Sequence, residues 1–108
     1  MDMPEPPRNN LPMRPTQALN LHREAIRAIA LSHRVTNPCV FGSVLRGEDT
    51  EGSDLDILVH PTKETTLFDI GAIQFELSEL LGLAVDVLTP RALPEKFRQT
   101  VQREAQPI

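Results

Sequence analysis

The sequence is poor in aromatic side chains and in cysteine. Its 108 residues include no Trp, no Tyr and four Phe, which argues against a surface that binds RNA by stacking bases on aromatic rings. The net charge of −4 at pH 7 argues against a general binder of polyanions, so we expect no direct nucleic-acid binding. The single cysteine, Cys39, cannot form an internal disulfide, which fits a reducing cytoplasm.

Long hydrophobic runs are also absent. No stretch approaches the roughly 20 apolar residues of a membrane span, and no signal-peptide core follows Met1. Hydrophobic residues make up 40% of the chain and charged residues 24%, which is typical of a globular domain. The composition therefore predicts one small cytoplasmic domain without a membrane segment.

Proline is concentrated at the start of the chain. Proline removes backbone hydrogen-bond donors and restricts the residue before it. We therefore expect a Pro-rich flexible tail over residues 1–14 and a folded domain over residues 15–108. Five of the ten prolines carry this expectation, namely Pro4, Pro6, Pro7, Pro12 and Pro15.

Helical and strand-like apolar patterns alternate after the tail. This alternation predicts an α/β (α+β) fold in which a small mixed β-sheet is packed with helices. Apolar spacing of three and four residues marks the helices, and short apolar runs mark the strands. The predicted helices cover 16–32, 65–81 and 93–105, with a single helical turn at 43–47, and the predicted strands cover 39–41, 55–59 and 83–88.

Two aspartates occupy alternate positions at the start of the second predicted strand. Successive strand side chains point to opposite faces, so Asp54 and Asp56 share one face, with Cα atoms about 6.5–7 Å apart. The opposite face carries Leu55, Ile57 and Val59, which can be buried against a helix. Two carboxylates at this spacing can bind hard cations such as Mg²⁺, and a pair of such ions suits phosphoryl or nucleotidyl transfer.

A third aspartate, Asp86, interrupts the last predicted strand. A buried ionised carboxylate is costly unless it is paired or bound to metal. We therefore expect Asp86 to join Asp54 and Asp56 in a site of three carboxylates on neighbouring strands.

A glycine-serine pair lies where the first predicted strand ends. Gly42 allows backbone to approach a phosphate closely, and N–H groups at the start of a helical turn attract anions. The Ser43 hydroxyl can donate to a phosphate oxygen, and Arg46 can reach the same anion one turn later. The pair therefore predicts a phosphate-binding turn beside the acids.

The remaining acids near the motifs and two phenylalanines are predicted to have structural roles. Glu48, Asp49 and Glu51 are expected to form a solvated acidic loop. Phe68 and Phe75 lie off the best apolar stripe of their helix, and we expect them either to pack in the core or to form an exposed contact patch.

These motifs resemble those of the polymerase-β nucleotidyltransferase superfamily. The resemblance rests on Gly-Ser-x-x-Arg-Gly at 42–47, Ser-Asp-x-Asp at 53–56 and the late Asp86. Within that superfamily the length is similar to that of the minimal nucleotidyltransferases (MNT), antitoxins that are paired with HEPN toxins. The resemblance covers residues 37–105 and implies a polymerase-β-like fold.

The resemblance also implies a role for each motif position. Asp54 and Asp56 would hold two Mg²⁺ ions, or Mn²⁺ as the alternative. Asp86 would complete one metal site and help to activate the attacking hydroxyl. The implied binding residues for the ATP substrate are Gly42, Ser43, Arg46 and Ser53.

The activity implied by the resemblance is metal-dependent transfer of AMP from ATP to a hydroxyl of a cognate HEPN toxin. The implied acceptor is a tyrosine, and the chain would be the antitoxin of a type VII-like toxin-antitoxin pair. Two alternatives stay open. The chain could neutralise its partner by stoichiometric binding without catalysis, or it could nucleotidylate a small molecule.

Overall fold

The computed structural model describes residues 13–108, which form a four-stranded sheet with three α-helices. The predicted flexible tail over residues 1–14 therefore lies outside the described residues, except for Met13 and Arg14. None of the helices within residues 13–108 is long and apolar enough to cross a membrane. In chain order the elements are α1 (Pro15–Leu31), β1 (Val35–Phe41), β2 (Leu55–Pro61), α2 (Leu67–Leu81), β3 (Val85–Leu88), a 3₁₀ turn (Pro90–Ala92), α3 (Glu95–Glu104) and β4 (Gln106–Pro107).

The sheet has the strand order β3-β2-β1-β4. β1 is antiparallel to both β2 and β4, whereas β2 and β3 are parallel. The prediction of a small mixed sheet packed with helices is therefore confirmed. β4 has only two residues and was not predicted.

The two faces of the sheet differ in how they are covered. On one face, the strand residues Leu55, Ile57 and Val59 are fully buried in the main hydrophobic core, to which α1 and α2 contribute. On the other face, a smaller cluster is formed by Cys39, Leu58 and Leu93, with partly buried residues of α3 packed against it. The second face carries the candidate site.

Local capping explains where α2 begins and ends. The N–H of Thr66 donates to the Asp69 carboxylate at 2.8 Å, and the N–H of Asp69 donates to the Thr66 hydroxyl at 3.3 Å. This reciprocal pair satisfies backbone donors that the first helical turn leaves free. At the other end Gly82 adopts φ +67, the left-handed conformation that terminates helices.

Several predicted boundaries were wrong: β3 begins at Val85 instead of residue 83, and α3 begins at Glu95 instead of residue 93. β1 begins at Val35, and its register shifts between Thr36 and Cys39, so that the Asn37–Pro38 pair lies inside the strand as an irregularity. A bulge tolerates proline because the bulged residue need not donate to the ladder. α1 begins at Pro15, one residue before the predicted start, because proline suits the first helical position.

Of the two alternatives for Phe68 and Phe75, packing in the core is excluded and exposure is found. Their exposed fractions are 89% and 65%. α2 instead buries Ile73, Leu77 and Leu81, whose spacing of four residues follows one side of the helix. The two phenylalanines are left on the solvent side.

Candidate active site

The three predicted aspartates lie together on the less covered face of the sheet. Asp56 and Asp86 are register partners on the parallel strands β2 and β3, and Asp54 precedes β2 by one residue. Neighbouring strands lie about 4.8 Å apart. Asp54 and Asp56 share this face because Leu55 between them is buried in the core on the other. The structure thus brings the three carboxylates into one acidic cluster.

The three carboxylates affect one another electrostatically. Burial is the largest cause that raises the pKa of Asp56, and together with the neighbouring charges of Asp86 and Asp54, against a lowering effect of Arg46, it brings this pKa to about 6. Burial also raises the pKa of Asp86, and Asp54 adds to that increase. Like charges disfavour each other's ionisation, so a cation placed among them would be strongly attracted.

The donor chemistry of this cluster fits a divalent cation. Mg²⁺ prefers a few carboxylate oxygens combined with substrate phosphates. The residues that would hold the ion are Asp54, Asp56 and Asp86, which adjoin at the start of β2 and on β3. Within residues 13–108 no three acidic, His or Cys side chains are already arranged around one point as ligands of a single ion.

Gly42 brings the turn after β1 directly against the acidic cluster. Its φ is +80, a conformation that L side chains rarely adopt. A Cβ atom at this position would overlap with Oδ2 of Asp56. The residue before it, Phe41, is the register partner of Asp56. Glycine is therefore required here both for the turn and for the close approach of the Asp56 carboxylate.

The turn that follows carries Ser43 and Arg46. Its backbone is closed by the N–H of Arg46, which donates to the carbonyl of Gly42, and by the N–H of Glu48, which donates to the carbonyl of Ser43 at 2.9 Å. These consecutive hydrogen-bonded turns lie where a single helical turn was predicted, over residues 43–47. Ser43 is half-buried, whereas Arg46 is exposed and lies 2.6 Å from Glu48. Exposed ion pairs of this kind are weak, so Arg46 is free to exchange its partner for a phosphate.

Ser53 closes a second turn immediately before Asp54. Its hydroxyl accepts from the N–H of Thr50 at 2.9 Å, and its own N–H donates to the carbonyl of Thr50 at 3.0 Å. The structure therefore gives Ser53 a role in holding the loop, and nucleotide binding by its side chain stays a prediction.

Asp49 holds the loop that joins the two motifs, and sequence reasoning missed it. Only 6% of the residue is exposed, whereas Glu48 and Glu51 are exposed as predicted. Asp49 accepts hydrogen bonds from the N–H and the hydroxyl of Thr16 at 2.9 and 2.5 Å. Burial acts to raise the pKa of Asp49, but these hydrogen bonds outweigh it and lower the pKa. The prediction that Asp49 is solvated was wrong because its partner lies 33 residues earlier.

A mixed sheet that presents adjoining carboxylates beside a glycine turn defines a class of enzyme that transfers nucleotides. Residues 19–107 match the model of the nucleotidyltransferase domain family, and the chain belongs to this family. The protein is therefore a nucleotidyltransferase. The resemblance that the motifs indicated is confirmed at the level of the family.

Known relatives support the same assignment. A candidate protein adenylyltransferase of Methanocaldococcus jannaschii is 37% identical over 81% of this chain and 94% of its own length. The solved structure of a candidate minimal nucleotidyltransferase matches with a TM-score of 0.77 and 40% identity, over 86% of this chain and 95% of that one. The predicted fold of the minimal nucleotidyltransferases is thereby confirmed.

A more distant neighbour is a toxin-antitoxin structure solved with AMP-PNP. It matches with a TM-score of 0.65 and 20% identity, over 76% of this chain and 68% of that one. At this identity the match shows a common fold.

Proposed function

We propose that this chain transfers AMP from ATP to a hydroxyl group of a cognate toxin, a tyrosine of a HEPN-type protein, and so acts as the antitoxin of the pair. The observation that carries the proposal is the meeting of Asp54, Asp56 and Asp86 beside the Gly42 turn. The M. jannaschii relative, named as a candidate protein adenylyltransferase, supports the reaction. The neighbour that shares the fold was solved as a toxin-antitoxin with AMP-PNP, which supports a toxin as the partner and an ATP-like nucleotide as the donor.

The acidic cluster would organise the transfer. The acceptor oxygen attacks the α-phosphorus of ATP, a new P–O bond forms, and the bond to pyrophosphate breaks. Asp86 accepts the hydroxyl proton, a task favoured by its raised pKa. Asp54 and Asp56 would hold divalent cations, which when bound neutralise charge on the phosphates.

The turn after β1 would position the triphosphate. Ser43 can donate its hydroxyl to a phosphate oxygen, and Arg46 can make forked, charge-assisted hydrogen bonds. Because Gly42 allows Asp56 to lie against the turn, phosphates held by Ser43 and Arg46 adjoin the acidic cluster. This proximity puts the leaving pyrophosphate beside the turn and the α-phosphorus beside the acids.

Label transfer tests the proposed reaction. The chain is incubated with ATP labelled at the α-phosphate, Mg²⁺ and the protein encoded by the neighbouring gene. We expect label on the partner, and loss of that label in Asp54→Asn. Glu79→Gln, which removes an exposed acid from α2, is the matched control and should transfer normally. Undiminished transfer by Asp54→Asn would refute the proposed role of the acids.

Neutralisation by binding alone is the second candidate, and an exposed apolar surface on α2 favours it. Leu67, Phe68 and Phe75 are exposed on this helix, which suits contact with another protein. If binding alone were sufficient, the double variant Asp54→Asn/Asp56→Asn would still protect cells from the toxin at normal expression. Catalytic neutralisation predicts that this variant fails to protect them.

A further inference from the structure

A cleft lies between the turn after β1 and helix α3, on the same face of the sheet as the acidic cluster. Its volume is about 380 Å³, within the usual range for small-molecule sites. Gly42 and Arg46 form the edge nearest the acids. Apart from Gly42 and Arg46, the residues that line the cleft have no role in the proposed transfer.

The walls of the cleft are apolar, and its polar groups lie at the rim. Phe41 and Leu88 contribute from the sheet, and Phe97 and Val101 contribute from α3. Phe97 lines the cleft and is 52% exposed, and Nζ of Lys96 lies 5.6 Å from the centroid of its ring. Aromatic and aliphatic walls of this kind suit a flat group with apolar faces, and base–aromatic stacking is the usual example.

The cleft is continuous with the site of the proposed reaction. Phe41 is the register partner of Asp56, and Leu88 lies two residues after Asp86 on the same strand. Side chains two residues apart in a strand share a face. A nucleotide with its phosphates at the acids and at Arg46 would therefore extend its other end into the cleft.

We propose that this cleft binds the base of the nucleotide donor, with Phe97 as its stacking platform. The inference rests on the proposed use of ATP. The phosphate end of the site offers the Ser43 hydroxyl, Arg46 and carboxylates that would hold cations, whereas the cleft offers apolar surface, and this division matches the two ends of a nucleotide.

The rim of the cleft adds a recognition group, Glu104. An ionised carboxylate can only accept hydrogen bonds. Glu104 lies seven residues after Phe97, on the same side of α3, and also lines the cleft. We infer that it accepts a hydrogen bond from the exocyclic amino group of adenine.

Binding measurements on the full chain test the stacking platform. The probes are α,β-methylene-ATP, which cannot transfer AMP, and inorganic tripolyphosphate, which has no base. Phe97→Ala should weaken binding of the ATP analogue about tenfold and leave tripolyphosphate binding unchanged. Phe75→Ala removes a ring from α2 that is 65% exposed and is the matched control, with no expected effect on either probe. Unchanged affinity of Phe97→Ala for the ATP analogue would overturn the proposal.

A second pair of probes tests Glu104. Purine riboside triphosphate lacks the amino group and should bind about fivefold more weakly than ATP to the unmodified chain. Glu104→Ala should abolish this difference. Equal binding of both nucleotides to the unmodified chain would overturn the role of Glu104.

The outcomes separate this inference from the proposed function. If the chain labels its partner but Phe97→Ala binds nucleotide normally, the base site is wrong and the transfer stands. If Phe97→Ala instead raises only the KM for the partner protein, the cleft receives the acceptor, and the base site is again wrong. If nucleotide binding depends on Phe97 but no partner is labelled, the base site stands and the proposed reaction falls.

Discussion

The two faces of the central sheet have opposite properties although the same strands build them. On β2, Leu55 and Ile57 are fully buried against the helices. Asp54, which precedes Leu55, and Asp56, which lies between Leu55 and Ile57, are on the less covered face. The first face gains stability by burying apolar surface. The second brings like charges together, which costs stability until a cation binds among them.

This difference shows how a short strand can serve stability and chemistry at once. Alternation along the strand assigns each function to its own face, with a period of two residues. Substitutions one residue apart should therefore have effects of different kinds.

The largest effect is expected on activity for Asp56→Asn. Removal of this charge weakens the binding of divalent cations, which contribute several kcal/mol to the transition state. We expect the rate of AMP transfer to fall about a thousandfold, which corresponds to about 4 kcal/mol. Label transfer under saturating ATP measures this. A reduction in the rate smaller than about tenfold would contradict the proposed role of the acids on the less covered face in binding divalent cations.

The next effect is expected on stability for Ile57→Ala, one residue further along β2. Ile57 is fully buried, and loss of such a side chain costs about 2–5 kcal/mol in the free energy of unfolding. Urea titration measures this cost. The folded fraction should retain nearly normal transfer at low temperature. A selective loss of transfer with unchanged stability would show that the two faces are not separate.

Gly42→Ala probes the contact between the turn and the acidic cluster. The added Cβ would overlap with Oδ2 of Asp56, and the φ of +80 would be strained. We expect a loss of about 1–2 kcal/mol in stability and a fall of about a hundredfold in transfer, about 2.7 kcal/mol, because Asp56 must move. Gly52→Ala is the control, since a Cβ at Gly52 would meet nothing within 4 Å and its φ is ordinary. Normal transfer by Gly42→Ala would contradict this account.

Asp49→Ala tests whether the buried acid that joins the loop to α1 has a structural role. Loss of the hydrogen bonds from Thr16 should cost about 1–2 kcal/mol in the free energy of unfolding. Asp49→Asn keeps an acceptor oxygen and should cost less. Thermal denaturation of both variants measures the difference. Equal stability of Asp49→Ala and the unmodified chain would rule out this role.

Sequence reasoning was most accurate where local alternation decides the outcome. The placement of Asp54 and Asp56 on one face follows from the strand period, and Leu55 between them is buried as the period requires. The N-cap of α2 at Thr66 and its C-cap at Gly82 also follow from local capping chemistry. Each of these features depends on residues within a few positions of one another.

The remaining features depend on contacts between distant parts of the chain. Asp49 is buried only because α1 presents Thr16 to it, and no local pattern near Asp49 indicates this. The cleft exists because α3 folds back towards the turn after β1, which brings Phe97 near Phe41. Side-chain periodicity describes local structure only, so it cannot predict packing between distant segments such as α3 and the turn after β1.

The smallest expected effect is the pH dependence that Asp56 gives to the free energy of unfolding. Asp56 has a pKa of about 6 when folded, above its ordinary value of 3.8. The folded chain therefore binds more protons than the unfolded chain between these values, and its stability falls as the pH rises through this range.

Replacing Asp56 by Asn should remove this contribution to the pH dependence, while Asp86, whose pKa is also raised, keeps its own. The full shift would correspond to about 3 kcal/mol, but partial exposure of Asp56 reduces the expected contribution to about 1 kcal/mol. Urea titrations in EDTA should give similar stabilities for the unmodified chain and Asp56→Asn near pH 4, and a more stable Asp56→Asn at pH 7. Parallel pH profiles for the two proteins would mean that the less covered face carries no electrostatic strain. The contrast between the faces would then lie in their apolar burial alone.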